Sequence, residues 1–153
     1  MTLKTVPLLT ETACVDPDTT LSDTLRQMLA RQTNHIPVCS DGVWVGLVDI
    51  RAILGELLPV SARIEHGLPD LGFVGDGLSL LATHFRALKT RTVRGLDLPA
   101  LPTLREDTPI LEAALMLYRE GSPLPVLDPA GRLKGMLSRR SLLAHLAARL
   151  GDA

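Results

Sequence analysis

The sequence predicts an α+β fold built as two copies of one unit, and three observations carry that prediction. The same series of signals occurs twice: a Thr-marked helix start, an amphipathic segment, an apolar strand with a proline inside, an Asp/Gly turn, a second apolar strand and a closing helix. The registers agree, because Ile110 stands 89 residues beyond Leu21, Gly131 stands 89 beyond Gly42 and Gly135 stands 89 beyond Gly46. Pro125 stands 88 beyond Pro37, with one residue lost before the strand and one gained in the turn, which is what a structural duplication leaves in its loops. Hydrophobic residues make up 46% of the 153, so a buried core is expected, and aromatics at 3% leave Leu, Val, Ile and Ala to build it. The period is longer than the roughly 20–50 residues of solenoid repeats. Two copies that cannot each bury a face are expected to pack on one another.

The first copy opens on Met1 to Thr12, where Thr5 to Leu9 form a strand or a brief helical turn. Cys14 to Pro17 is an extended piece ending in a turn, because Pro17 keeps Asp16 out of the helical region. Thr19 and Thr20 are N-cap residues, and Asp23, three beyond Thr20, makes an imperfect capping box. Leu21, Leu25, Met28 and Leu29 follow at helical spacing, and the helix should fade by Gln32 to Asn34. Ile36 to Cys39 reads as a strand, Ser40-Asp41-Gly42 as a turn and Val43 to Val48 as the returning strand. Asp49 caps a helix whose stripe is Ile50, Ile53, Leu54, Leu57 and Leu58, stopped by Pro59.

Residues 1–59 therefore form the first repeat, 60–91 a connector with a helix at 78–89, and 92–153 the second repeat. The connector is rich in glycine from Gly67 to Gly77. Asp76 or Ser79 caps its helix, and Leu78, Leu81, Ala82, Phe85 and Leu88 make the apolar face. Arg86, Lys89, Arg91 and Arg94 suit a helix C-terminus and a solvated surface. In the second copy, Val93 to Leu98 corresponds loosely to Val6 to Leu9. Thr108 serves as N-cap with Pro109 at the first helical position. Ile110, Ala113, Ala114, Leu117 and Tyr118 give the stripe, and Gly121 the stop. Leu124 to Leu127, the turn Asp128 to Gly131 and Leu133 to Leu137 form a hairpin. Ser138 caps the last helix, with Leu142, Leu143, Leu146, Ala147 and Leu150 inward.

Several classes of function are argued against. Sixteen basic and 17 acidic residues leave a formal net charge of −1, and the Arg86–Arg94 and Arg132–Arg140 clusters lack aromatic stacking platforms, so a nucleic-acid binder is not expected. Met1 to Leu9 lacks the apolar core of a signal peptide, and no apolar run approaches the roughly 20 residues of a membrane span. Cys14 and Cys39 make neither a disulfide scaffold nor a metal-ligand spacing; they read as small apolar fillers in a reducing, cytoplasmic setting. His35, His66, His84 and His145 are dispersed and match no metal motif. The stretch Gly72 to Gly77 lacks the Gly-Lys-Ser/Thr ending of a phosphate loop and reads as linker. Asp16, Asp18 and Asp107 lie near helix starts, where capping and the helix dipole account for them without acid–base catalysis. Trp44 belongs to a contact surface or to the core.

The ordered series resembles the tandem cystathionine-beta-synthase-type (CBS) domain pair, or Bateman module. The residues that carry the likeness are Asp16-Pro17-Asp18-Thr19-Thr20-Leu21, Ile36-Pro37-Val38 and Gly46-Leu47-Val48 in one copy. In the other they are Arg105-Glu106-Asp107-Thr108-Pro109-Ile110, Leu124-Pro125-Val126 and Gly135-Met136-Leu137-Ser138. The resemblance implies two β-α-β-β-α repeats packed with pseudo-two-fold symmetry. It also implies a non-catalytic regulatory module that senses an adenine nucleotide (AMP, ADP or ATP) or an adenosyl compound, requires no cofactor, and signals to a separate effector protein. A homodimer formed through helical faces is implied as well. The alternative is a degenerate pair acting as a dimeric interaction or structural module without a nucleotide.

In that family a Gly-apolar-apolar-Thr/Ser-x-x-Asp series forms the nucleotide cleft, the hydroxyl helping to bind phosphate at a helix N-terminus and the carboxylate holding the ribose. The first copy reads Gly46-Leu47-Val48-Asp49-Ile50-Arg51-Ala52, so an anion stands at the phosphate position and the ribose carboxylate is missing. The second reads Gly135-Met136-Leu137-Ser138-Arg139-Arg140-Ser141, which keeps the hydroxyl, replaces the carboxylate with Ser141 and adds two arginines. Those arginines suit a phosphate or a partner's acidic surface. The resemblance therefore points to Thr103, Leu104, Leu124, Pro125, Ser138, Arg139, Arg140 and Ser141 as the ligand-binding set.

Overall fold

The computed structural model describes residues 1–9, 14–59 and 77–151. The expected Asp76 cap, His66 and most of the Gly72 to Gly77 stretch lie outside them. Five helices and five strands are seen among the described residues: α1 (Leu21–Arg31), β1 (His35–Ser40), β2 (Val43–Asp49), α2 (Ile50–Glu56), α3 (Gly77–Ala87), β3 (Leu104–Arg105), α4 (Ile110–Arg119), β4 (Leu124–Leu127), β5 (Leu133–Leu137) and α5 (Arg139–Leu150). The second repeat is thus β-α-β-β-α in order. In the first, the place of β3 is taken by the buried Val15, 89 residues before Leu104.

The chain divides into two compact units that do not coincide with runs of sequence. One contains Met1–Cys14, Pro37–Gly46 and Pro99–Ala153; the other contains Val15–Ile36 and Leu47–Leu98. Backbone hydrogen bonds explain the division. A short 3-10 turn, Leu3–Thr5, opens the first repeat but docks at the start of α4: Leu3 N–H donates to Thr108 O at 3.1 Å, and Ile110 N–H donates to Met1 O at 3.0 Å. The matching turn, Val93–Gly95, docks at the start of α1: Val93 N–H donates to Thr19 O at 3.0 Å, and Leu21 N–H to Arg91 O at 2.9 Å. Each leading segment thus satisfies helix-entry groups of the other copy. Val93 therefore matches Leu3, 90 residues earlier, and not Val6; the sequence correspondence was three residues out because these turns carry no motif.

In the first unit β3 runs parallel to β4, with Leu104 opposite Val126, and β4 runs antiparallel to β5, with Leu124 opposite Leu137. Leu9 extends this sheet by exchanging two 2.8 Å hydrogen bonds with Met136. Gly135 is required here, since a Cβ on it would stand 2.7 Å from that of Leu8. The core gathers Leu3, Val6, Leu104, Ala113, Leu117, Leu124, Val126, Leu137 and Leu142. Burial of each Leu or Val among them contributes about 1.5–3 kcal/mol. In the second unit Leu21, Met28, Ile53, Leu88 and Val93 are buried, and Thr24 joins them by donating its hydroxyl to Thr20 O at 2.8 Å.

The β1–β2 turn has positive φ at both Asp41 (51°) and Gly42 (83°), the combination that matches strand twist in a two-residue hairpin. Two expectations are corrected. Thr108 does not cap α4; its hydroxyl accepts from Arg105 N–H at 2.9 Å and closes the preceding turn, as Thr19 does for Asp16. Pro109 occupies the cap position without a side-chain bond, whereas Thr20 does cap α1 by accepting from Asp23 N–H. Tyr118, expected inward, is 82% exposed, and Leu29, Leu54, Leu78, Phe85, Leu143 and Leu150 are exposed too. Helical spacing marks a stripe wider than the side that is buried, and α3 itself contains no buried residue.

Candidate functional site

The topology of the first unit gathers the second-copy residues at one sheet edge. β5 is antiparallel to β4, so its last residue, Leu137, stands opposite Leu124 at one end of the sheet; β3 is parallel to β4 with Leu104 opposite Val126, so it begins two residues further along and Thr103 leads into it from that end. Thr103 precedes β3 there, Pro125 pairs with Met136 in β4, and Ser138 follows β5 as the N-cap of α5. Leu104, Leu124 and Pro125 are buried, so they offer backbone and shape; Thr103, Arg139 and Arg140 are exposed, and Ser138 and Ser141 half-buried.

The polar groups at this edge are largely engaged with one another. Ser138 Oγ accepts from Ser141 N–H at 3.0 Å, and Ser141 Oγ accepts from Ser138 N–H at 2.9 Å, a reciprocal capping box. Arg139 N–H donates to Ser122 Oγ at 3.1 Å, and its side-chain Nε–H donates to Leu117 O at 2.7 Å, near the C-terminus of α4. That contact places a guanidinium against the negative end of a helix, where a cation is favoured. Arg140 is the exposed cation left beside the N-terminus of α5.

The first-copy counterpart is built differently. Asp49 caps α2, accepting from Arg51 N–H at 2.9 Å, and its other oxygen lies 3.5 Å from His35 Nε2. Ala52 stands where Ser141 stands in the second copy, so α2 has no reciprocal cap.

Two cavities lie elsewhere. One, of about 180 Å³, is lined by Lys4, Arg105, Glu106, Asp107, Leu127 and Pro129, at the opposite end of β3 and β4 from Ser138. The other, of about 330 Å³ in the second unit, is lined by Leu21, Glu56, Arg91, Thr92, Gly95 and Leu96. On its wall the Arg91 guanidinium pairs with the Glu56 carboxylate. Helical spacing alone places Arg91 on a solvated surface, because a partner 35 positions away leaves no local signal in the sequence. Among the described residues no group of three or more His, Cys, Asp or Glu is placed to hold a metal ion, and no helix is long and apolar enough to cross a membrane.

Comparison with known proteins bears on the same elements. The CBS domain profile matches residues 5–59 and 93–148. Among solved structures, the CBS-pair protein CBSX2 from Arabidopsis thaliana aligns with a TM-score of 0.72 at 21% identity, covering 99% of this chain and 98% of that one. CBSX2 in complex with AMP aligns at 0.65 with 22% identity over 97% of each chain. A CBS domain pair/ACT domain protein from Thermotoga maritima aligns at 0.63 with 22% identity, covering 99% and 100%. At these identities the likeness is one of fold. No curated protein matches the chain.

Proposed function

Because the chain belongs to the CBS domain family, with two copies in tandem, we propose that it is a non-catalytic regulatory module that senses an adenine nucleotide or adenosyl compound at the second-copy sheet edge. The carrying observation is that Leu124, opposite Leu137, lies with the α5 N-terminus at the end of the sheet from which Thr103 leads into β3, with Arg140 exposed beside it. A helix N-terminus favours an anionic group, and the strand backbone offers the amides and carbonyls that an adenine edge needs. That a protein of the same fold is known in complex with AMP supports the ligand class. On this reading the module acts in the cytoplasm on a separate effector.

The second reading, a dimeric interaction module without nucleotide, is favoured by two observations. The hydroxyls of Ser138 and Ser141 already satisfy each other. In addition, Leu111, Leu115 and Tyr118 lie at i, i+4 and i+7 on α4 and are 80%, 45% and 82% exposed, a stripe suited to a second copy.

A thermal-shift screen with AMP, ADP, ATP and S-adenosylmethionine separates the two. At about 100 times its Kd a ligand stabilises by ~2.7 kcal/mol, a rise of several degrees. The shift should shrink in Arg140→Ala, whose exposed side chain leaves the fold alone. No shift at millimolar ligand, with a dimer by light scattering that Tyr118→Glu dissociates, would replace the first reading with the second.

A further inference from the structure

Cys14 and Cys39 are 25 positions apart in sequence, yet their Sγ atoms stand 3.1 Å apart, with the Cys39 thiol donating to the Cys14 sulfur. Disulfide bonding requires about 2.05 Å, so a shift of about an ångström would join them. The two thiols differ in a way that suits stepwise oxidation. Cys14 is exposed, immediately before the buried Val15, and Cys39 is buried in β1 with 7% of its surface accessible. Burial first, and the neighbouring Cys14 second, push the Cys39 thiol up to about 12, so it stays protonated at neutral pH and does not react first. Neither residue serves the sheet edge described above.

We propose that Cys14 and Cys39 are a redox-modification site at which a low-molecular-weight disulfide, of the glutathione disulfide class, forms an intrachain disulfide. The Cys14 thiolate attacks one sulfur of the oxidant, breaking its S–S bond and releasing one thiol, and a mixed disulfide forms on Cys14. The Cys39 thiol then loses its proton to solvent and attacks the Cys14 sulfur, expelling the second thiol, which takes up a proton. Two protein thiols are oxidised to one disulfide while one oxidant molecule is reduced to two thiols. The product ties the segment that enters Val15 to strand β1. Because the resolving thiol is buried and protonated, the second step is slower than the first.

The test uses the full chain with glutathione disulfide at neutral pH, followed by intact mass and non-reducing peptide mapping. The expected result is a transient single glutathione adduct on Cys14, then loss of the adduct and of both free thiols, with a Cys14–Cys39 cross-link that dithiothreitol reverses. A stable adduct with Cys39 still free, an interchain cross-link, or unreacted thiols would each overturn the proposal. Cys14→Ser provides the control, since that position is exposed and circular dichroism will verify folding. In it the buried Cys39 should react at least tenfold more slowly than Cys14 does in the parent. Equal rates would show that Cys39 is independently accessible and would also overturn the proposal.

Discussion

The joints where the second strand of each hairpin enters a helix, at Asp49 in one copy and Ser138 in the other, occupy equivalent positions 89 residues apart and solve one physical problem, one with a carboxylate and the other with neutral hydroxyls. Both leave the first N–H groups of a helix without intrahelical partners. At α2 a carboxylate accepts from Arg51 N–H and faces His35. At α5 two hydroxyls serve each other's backbone, a third from Ser122 takes Arg139 N–H, and Arg140 remains exposed. The backbone needs only an oxygen acceptor at the cap, so stability alone allows either. An anionic ligand does distinguish them, because Asp49 repels it and the α5 edge does not. The duplication has kept the joint and let its charge diverge.

The largest effects should be the same in both copies, because they concern packing and not the joint. Ile36 in β1 and Leu124 in β4 are matching residues, both with no accessible surface. Ile36→Ala and Leu124→Ala should each cost about 2–5 kcal/mol, by lost burial plus the cavity left behind. Urea unfolding monitored by circular dichroism measures both. If one variant loses little stability, or unfolds in two steps while the other unfolds in one, the two copies are not equivalent parts of a single cooperative fold.

A smaller effect isolates the joint. Ser141→Ala removes the side chain that accepts from Ser138 N–H and donates to Ser138 O, and should cost about 1 kcal/mol in the same urea assay. The mirror change, Ala52→Ser, should lie within about 0.5 kcal/mol of the parent, because Asp49 already caps α2. A gain as large as the Ser141→Ala loss would mean that the α2 joint lacks an acceptor which the structure gives it.

What the sequence revealed, and what it hid, follows the range of the interactions involved. Helix starts at Thr20, Asp49 and Ser138 were legible because capping joins residues two or three apart. Hairpins were legible from Asp41-Gly42 and from the Asp128 to Gly131 turn, each with one glycine at positive φ, Gly42 and Gly131. The exchange of the leading segments was not, since the bonds from Leu3 to Thr108 and from Val93 to Thr19 join residues that share no local pattern. Nor was the reciprocal use of Ser141: a serine three beyond a cap reads as a lost carboxylate when a ligand is in mind, and as a capping-box partner only once its hydroxyl is seen on Ser138 N–H. The Cys14–Cys39 contact belongs with the hidden features, and Cys14, expected as a core filler, is exposed.

The smallest expected effect compares the turns ahead of the two first helices. Asp18 accepts from Arg94 Nε–H at 2.9 Å; the matching residues of the other copy, Asp107 and Lys4, line the 180 Å³ cavity. The hydrogen bond from Arg94, and then its charge, hold the Asp18 carboxyl below the usual carboxylate value. A carboxyl whose folded pKa is depressed gives stability that is fully present above its unfolded pKa, near 3.8, and is lost as pH falls through the lower folded value. Both side chains are mostly exposed, so the global effect should be slight, and the sensitive measurement is an NMR titration of Asp18. Arg94→Ala should return Asp18 to an ordinary value. Arg94→Lys, the residue type used at the matching Lys4, should return it only part of the way, because an ammonium keeps the charge and loses the planar Nε–H donor. If the lysine variant holds Asp18 as low as arginine does, charge and not the hydrogen bond sets the shift, and the difference between Arg94 and Lys4 carries no electrostatic meaning for the two copies.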